Sequence, residues 1–139
     1  LVLAEGAAMV VVEDEESART RGAPIYARIL GFASTSEGAH LRKVDPTGNA
    51  VAVAITMALD QAGLHARDID FISAHGNSMP DYDAAETAGI KRALGAHAWN
   101  IPVSSLKSMC GQALAASSAM QVVSSCLSLR DTIVPPTIN

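Results

Sequence analysis

The chain has 139 residues, 49% of them apolar and 17% charged, with a formal net charge of −4. That balance is one of a globular protein with a packed core and excludes a disordered chain. The ten Lys and Arg residues are scattered, so no basic field is offered to a nucleic-acid backbone, and no apolar run approaches the roughly 20 residues that cross a bilayer.

The first residues, Leu1 to Gly6, contain neither an initiator Met nor the charged start of a signal peptide. The N-terminus is therefore expected to be a cut into a longer protein. Ala7 to Val12 is a β-branched apolar run and reads as a buried strand. Asp14 then precedes Glu15-Glu16-Ser17-Ala18-Arg19, acidic first and basic last, the order a helix dipole favours, and Gly22 closes that short helix. Ile25 to Phe32 is expected to be a second strand, and the polar stretch from Ser34 to Gly48 a surface loop. From Asn49 the positions Val51, Ile55, Ala58, Leu59 and Ala62 follow helical spacing, and Gly63 supplies a left-handed cap.

Asp70 to Ala74 is a short strand running into the turn-forming cluster His75-Gly76-Asn77-Ser78. The C-terminal end of a strand is where α/β folds place ligands. Asp83 to Leu94 reads as a helix ended by Gly95, and Ile101 to Ser104 as another brief strand. Gly111 to Leu129 reads as one long helix with small residues on nearly every side, which predicts a central, buried helix. Pro135-Pro136 ends the pattern in extended chain. Strands and helices alternate without internal repeats, and the class is α/β.

Five segments together carry a resemblance to a known family. They are Glu5-Gly6-Ala7, His75 to Pro80 with Asp83 and Glu86, Ser104 to Gln112, Leu129-Arg130-Asp131, and Pro135 to Asn139. In this order, and over essentially the whole chain, the sequence resembles the β-ketoacyl-acyl carrier protein synthases. The resemblance implies a thiolase-like α/β fold, with residues 1–139 as most of the C-terminal half of its two-lobed αβαβα architecture. The N-terminal half, with its nucleophilic cysteine, and the extreme C-terminus would lie outside this chain.

That family lengthens acyl chains by decarboxylative Claisen condensation. Two histidines donate hydrogen bonds to the malonyl thioester carbonyl and stabilise the enolate left when carbon dioxide departs. His75 falls on the first of these, in a motif usually written His-Gly-Thr, with Asn77 in place of the Thr and Met79 in place of the Thr that often follows. Lys107 falls on the family's active-site lysine. Gln112 occupies the second histidine position, and Gln121 the position of a glutamate that pairs with the lysine. Both exchanges replace an ionisable group by a neutral amide, which donates a hydrogen bond but does not shuttle a proton at neutral pH.

The catalytic candidates are thus His75, Lys107 and Gln112, supported by Gln121 and Asn77, with no metal and no cofactor. Without the resemblance, a histidine after a strand and a lysine before a helix are ordinary structural and surface residues. Cys110 and Cys126 are at no metal-ligand spacing; the first is a bland neighbour of the site and the second a core residue. Asp83 and Glu86 are expected to stabilise a helix start, and His40, His65 and His97 are assigned nothing. Expected partners are an acyl carrier protein bearing the acyl or malonyl thioester and a second subunit, in a homodimer or a ketosynthase heterodimer, in the cytoplasm. Two functions stay open: a condensing acyltransferase, inactive as this fragment alone, and a catalytically silent partner like a chain-length factor. A nucleophilic cysteine upstream would separate them.

Overall fold

The structure is a computed structural model that describes residues 1–38, 40 and 43–138. Part of the expected loop, at 39, 41 and 42, and Asn139 of the terminal motif lie outside the described residues. The elements run α1 (Glu15–Thr20), α2 (Asn49–Ala62), β1 (Ile72–Ser73), α3 (Pro80–Leu94), β2 (Val103–Ser104), α4 (Lys107–Cys110) and α5 (Ala115–Asp131), with 3-10 turns at Ala66–Asp68 and Gly95–Trp99. None of the described helices is long and apolar enough to cross a membrane.

Local signals place the helices well. Asp14 caps α1, its Oδ1 accepting from the N–H groups of Glu16 and Ser17 at 2.9 and 3.2 Å. Gly63 takes the left-handed conformation after α2 and returns its N–H to Asp60 and Leu59. Pro80 opens α3, where its missing N–H costs nothing. α2 and α3 cross closely because both are glycine at the contact. A Cβ on Gly48 would run into the backbone of Ala85 and Gly89, and one on Gly89 would lie 2.6 Å from Val51 Cβ. Ala52, Ala85, Ile90 and Leu94 are buried in and around this crossing and form most of the apolar core.

β1 and β2 pair in parallel, Ile72 with Val103 and Ser73 with Ser104, so α3 is the crossover of a β–α–β unit. The pairing extends past β1, Ala74 N–H donating to Ser104 O at 2.8 Å. The segment Pro135 to Ile138 lies beside β2: Ser104 Oγ donates to Pro135 O at 2.6 Å, and Thr137 Oγ1 accepts from Ser105 N–H at 3.0 Å. This extended course matches the expectation from Pro135-Pro136.

Five expectations are corrected. Ala7–Val12 and Ile25–Phe32 join no ladder among the described residues and lie largely open, Met9 being 95% and Val11 86% exposed. An apolar run becomes a strand only when a neighbouring strand takes its backbone hydrogen bonds. Among the described residues neither run has a strand partner, and Phe32 N–H donates instead to the side-chain Oε1 of Gln61 on α2 at 2.7 Å. The expected helix from Gly111 is broken. Gly111 (φ +75°) and Leu114 (φ +49°) have backbone angles no helix accepts, and Gln112 between them bridges to Leu3 in strand fashion. Helix α5 therefore begins only at Ala115, and it is not buried on all sides. Of its residues only Ser117 is buried, while Val122, Leu127 and Leu129 are exposed. Cys126 is likewise half-buried rather than core.

Candidate functional site

The turn after β1 is held through the N–H groups of His75, Gly76, Asn77 and Met79. Gly76 has φ +40°, and a Cβ there would lie 2.6 Å from Ser105 Cβ, so no other residue fits. The Glu86 carboxylate accepts from His75 N–H at 2.7 Å and from Gly76 N–H at 2.9 Å, one oxygen for each. Asp83 accepts from Asn77 N–H at 3.1 Å, and Asn77 Oδ1 accepts from Met79 N–H at 3.0 Å in an Asx turn. Ser105 Oγ donates to Gly76 O at 2.7 Å. Asp83 and Glu86 stand three residues apart, on one face of α3. They clasp the preceding turn, whereas helix capping was expected of them.

Lys107 opens α4 and is only 8% exposed. Its ammonium donates to His75 O at 2.6 Å and to Gln121 Oε1 at 3.2 Å. Burial pushes its pKa below the ordinary 10.5, and the charges of Glu86, Cys110 and Asp83 act the other way. Gln121, on α5, donates through Nε2 to Ala74 O at 2.7 Å and to Ser73 O and Oγ at 3.3 Å. His75, Lys107 and Gln121 thus form one connected cluster at the C-terminal end of β1, and Asn77 joins it through the clasped turn.

The His75 ring is exposed and lines a cavity of about 350 Å³ together with Glu37, His40, Tyr82 and Glu86. Gln112 belongs to a different network. Its side chain is buried; Ser117 Oγ donates to its Oε1 at 2.8 Å and itself accepts from Ala113 N–H at 3.0 Å. Among the described residues no hydrogen bond joins Gln112 to His75 or Lys107, and its NH₂ meets no acceptor. The Cys110 thiol donates to Leu106 O at 3.3 Å, one turn back along the chain. His97 is structural as well, its Nε2 lying 2.8 Å from Ile69 O.

Similarity to known proteins extends over nearly the whole chain. Residues 26–139 match the family model "Beta-ketoacyl synthase, C-terminal domain". The chain belongs to the β-ketoacyl synthase family. It is 44% identical over 138 residues, 99% of its length, to the 3-oxoacyl-[acyl-carrier-protein] synthase 2 of Coxiella burnetii, of which it covers 33%. A solved type II polyketide acyl-carrier protein in complex with its ketosynthase, bound to the hexaketide, includes a chain of TM-score 0.88 and 42% identity. There 90% of this chain and 31% of that one are covered. The ishigamide ketosynthase/chain length factor matches with TM-score 0.89 and 38% identity over 99% of this chain and 33% of that one. The fold is thus that of the C-terminal part of a thiolase-like ketosynthase. The chain spans about a third of the length of the curated relatives it matches.

Of the residues that hold this cluster and the Gln112 side chain, the sequence pattern did not single out Ser105, Ser117 or the clasp by Glu86. The three-residue spacing of Asp83 and Glu86, on a helix whose N-terminus faces the His75 turn, is the one signal that pointed to the clasp. The two serines carry none.

Proposed function

We propose that this chain is the C-terminal part of a 3-oxoacyl-[acyl-carrier-protein] synthase, which joins acyl and malonyl thioesters by decarboxylative Claisen condensation in fatty acid or polyketide biosynthesis. The observation that carries the proposal is the buried Lys107 ammonium bound to the His75 carbonyl at the end of β1, within the family's own motif. In this scheme loss of carbon dioxide from the malonyl thioester leaves an enolate. Its oxygen accepts hydrogen bonds from the His75 imidazole and from the Gln112 NH₂ group. The enolate carbon attacks the acyl thioester carbonyl held on a cysteine of the N-terminal half, and that thiolate leaves. Lys107 is a fixed positive charge that orders the turn bearing His75. The partners are an acyl carrier protein that presents the thioesters and a second ketosynthase-type subunit, and the setting is the cytoplasm.

Gln112 and Gln121 favour a second reading, a silent partner subunit resembling a chain-length factor, because neither amide moves a proton. One experiment separates the two. The full-length protein is incubated with acyl- and malonyl-carrier thioesters, and carbon dioxide and the 3-oxoacyl product are measured by mass spectrometry. Formation of both is the result expected. A protein that releases neither, and becomes active only when mixed with a ketosynthase from the same source, is the silent partner instead.

A further inference from the structure

We propose that the segment Val2 to Ala4 positions Gln112, with Ala4 as the positioning residue: the segment holds the Gln112 backbone so that the free NH₂ group keeps one direction. The inference rests on the ketosynthase reading above and adds residues to the same site. Gln112 lies between the end of α4 at Cys110 and the start of α5 at Ala115, so its backbone N–H and C=O need partners outside both helices. Val2 and Ala4 supply them. Gln112 N–H donates to Val2 O at 2.7 Å, and Ala4 N–H donates to Gln112 O at 3.0 Å, the two bonds of a single parallel bridge. The side chain has a third tie, from Ser117 Oγ to Oε1 at 2.8 Å.

Without the bridge this stretch has little to fix it. Gly111 has φ +75°, and glycine is the residue with the most backbone freedom to lose. The segment comes close enough to dictate that glycine: a Cβ at 111 would lie 2.7 Å from Ala4 Cβ and 3.2 Å from Val2 O. The chain then continues past α5, where a Cβ on Gly6 would lie 2.7 Å from Met120 Sδ and 3.4 Å from Ala113 Cβ. Small residues at 4, 6 and 111 thus let residues 2–6 run closely along Gly111 to Ala113. Ala4 contributes twice, through its N–H on Gln112 O and through a methyl seated against Gly111. A donor to an enolate oxygen acts by being in place before the charge develops. One whose backbone drifts therefore loses rate while the group itself is still present.

The test is Ala4→Pro in the full-length protein, alone and combined with Gln112→Ala, with malonyl-thioester decarboxylation measured well below the melting temperature of every variant. Proline removes the N–H that holds Gln112 O and keeps the preceding residue extended, so the bridge is broken while the segment keeps its shape. Ala4→Pro is expected to lower kcat about tenfold with KM nearly level, because the lost interaction belongs to the transition state. In the Gln112→Ala background, where no amide is left to position, the same change should cost less than about twofold. Leu3→Gly, which removes no hydrogen bond and only loosens the segment, should show the same pattern at about threefold. It carries the test if the proline variant does not fold. An equal loss in both backgrounds, or no loss in either, would overturn the positioning role. Amide hydrogen exchange decides the bridge itself: the N–H groups of Ala4 and Gln112 should exchange slowly in wild type, and fast exchange there would overturn the pairing. A wild-type protein without decarboxylation refutes the ketosynthase reading instead, and the exchange rates still decide whether residues 2–4 hold Gln112.

Discussion

The ammonium of Lys107 donates to the carbonyl oxygen of His75 across 2.6 Å, so a side chain on α4 holds the backbone of the turn that follows β1. Removing it by Lys107→Met leaves that carbonyl without its partner, which costs about 1–3 kcal/mol. The pH dependence has a definite sign. Burial lowers the folded-state pKa of Lys107 below 10.5. The unfolded chain therefore binds more protons than the folded one between the two values, and stability rises with pH in that window. Wild type should gain on Lys107→Met in urea unfolding of the full-length protein between about pH 8 and about pH 10. A gap that narrows over that range would mean that the partners of Lys107 outweigh its burial.

His75 separates backbone from side chain. Its N–H binds Glu86 and its carbonyl binds Lys107, and neither bond involves the ring. His75→Ala should therefore change stability by no more than about 0.5 kcal/mol. Malonyl decarboxylation in the full-length protein should fall by about two to three powers of ten if the ring supplies one donor to the enolate oxygen. Equal rates in variant and wild type would leave His75 a structural residue.

Glu86 offers a sharper test of the clasp. Each carboxylate oxygen takes one backbone N–H of the turn. In Glu86→Gln one of those oxygens becomes an NH₂ group facing a donor, and the loss should be about 1.5–3 kcal/mol. Amide hydrogen exchange at residues 75 and 76 should quicken while the amides within α2 keep their protection. Uniform quickening over the whole chain would point to general destabilisation instead.

How much of this was legible in the sequence depends on whether a signal is complete within a few residues. The Asp14 cap and the glycine after α2 carry their hydrogen-bonding consequences locally, and each lies where its spacing predicts, whereas α3 starts at Pro80, ahead of the expected Asp83. Lys107 was found through the motif around it, and its two acceptors are the His75 carbonyl and the amide oxygen of Gln121. What failed depends on distant partners. The apolar runs 7–12 and 25–32 look like strands, but a strand is defined by its neighbour, and the chain spans about a third of its relatives' length. The break at Gly111 to Leu114 was hidden because Gln112, a good helix former, takes its extended shape from pairing with Leu3 more than a hundred residues earlier. The exposed Val122 and Leu129 are seven residues apart, two turns along one face of α5, which fits a surface meant to be covered.

In the proposed reaction, the balance between the two chemical steps falls to Gln112 and Ser117. The Ser117 hydroxyl accepts from Ala113 N–H and has one proton to give, which goes to Gln112 Oε1 at 2.8 Å. With its oxygen occupied, the amide has its NH₂ group left to meet a carbonyl. That arrangement serves an enolate oxygen, which needs a donor, and does not serve a step that needs a proton returned. Gln112→His in the full-length protein should therefore raise condensation by about ten- to a hundredfold, within the range of general acid–base effects, and leave decarboxylation nearly level. Ser117→Ala should lower decarboxylation by freeing the amide to rotate, and should have less effect in the Gln112→His background. Adding Gln121→Glu to Gln112→His should bring no further gain at pH 8.5, because the new carboxylate would face the Ala74 carbonyl. Measuring carbon dioxide release and 3-oxoacyl product separately for wild type and the four variants decides among these outcomes. Wild type that already condenses as fast as Gln112→His would show that the glutamine does not limit the reaction. A further gain in the double variant would show that the lysine works better beside a carboxylate than beside the amide it has here.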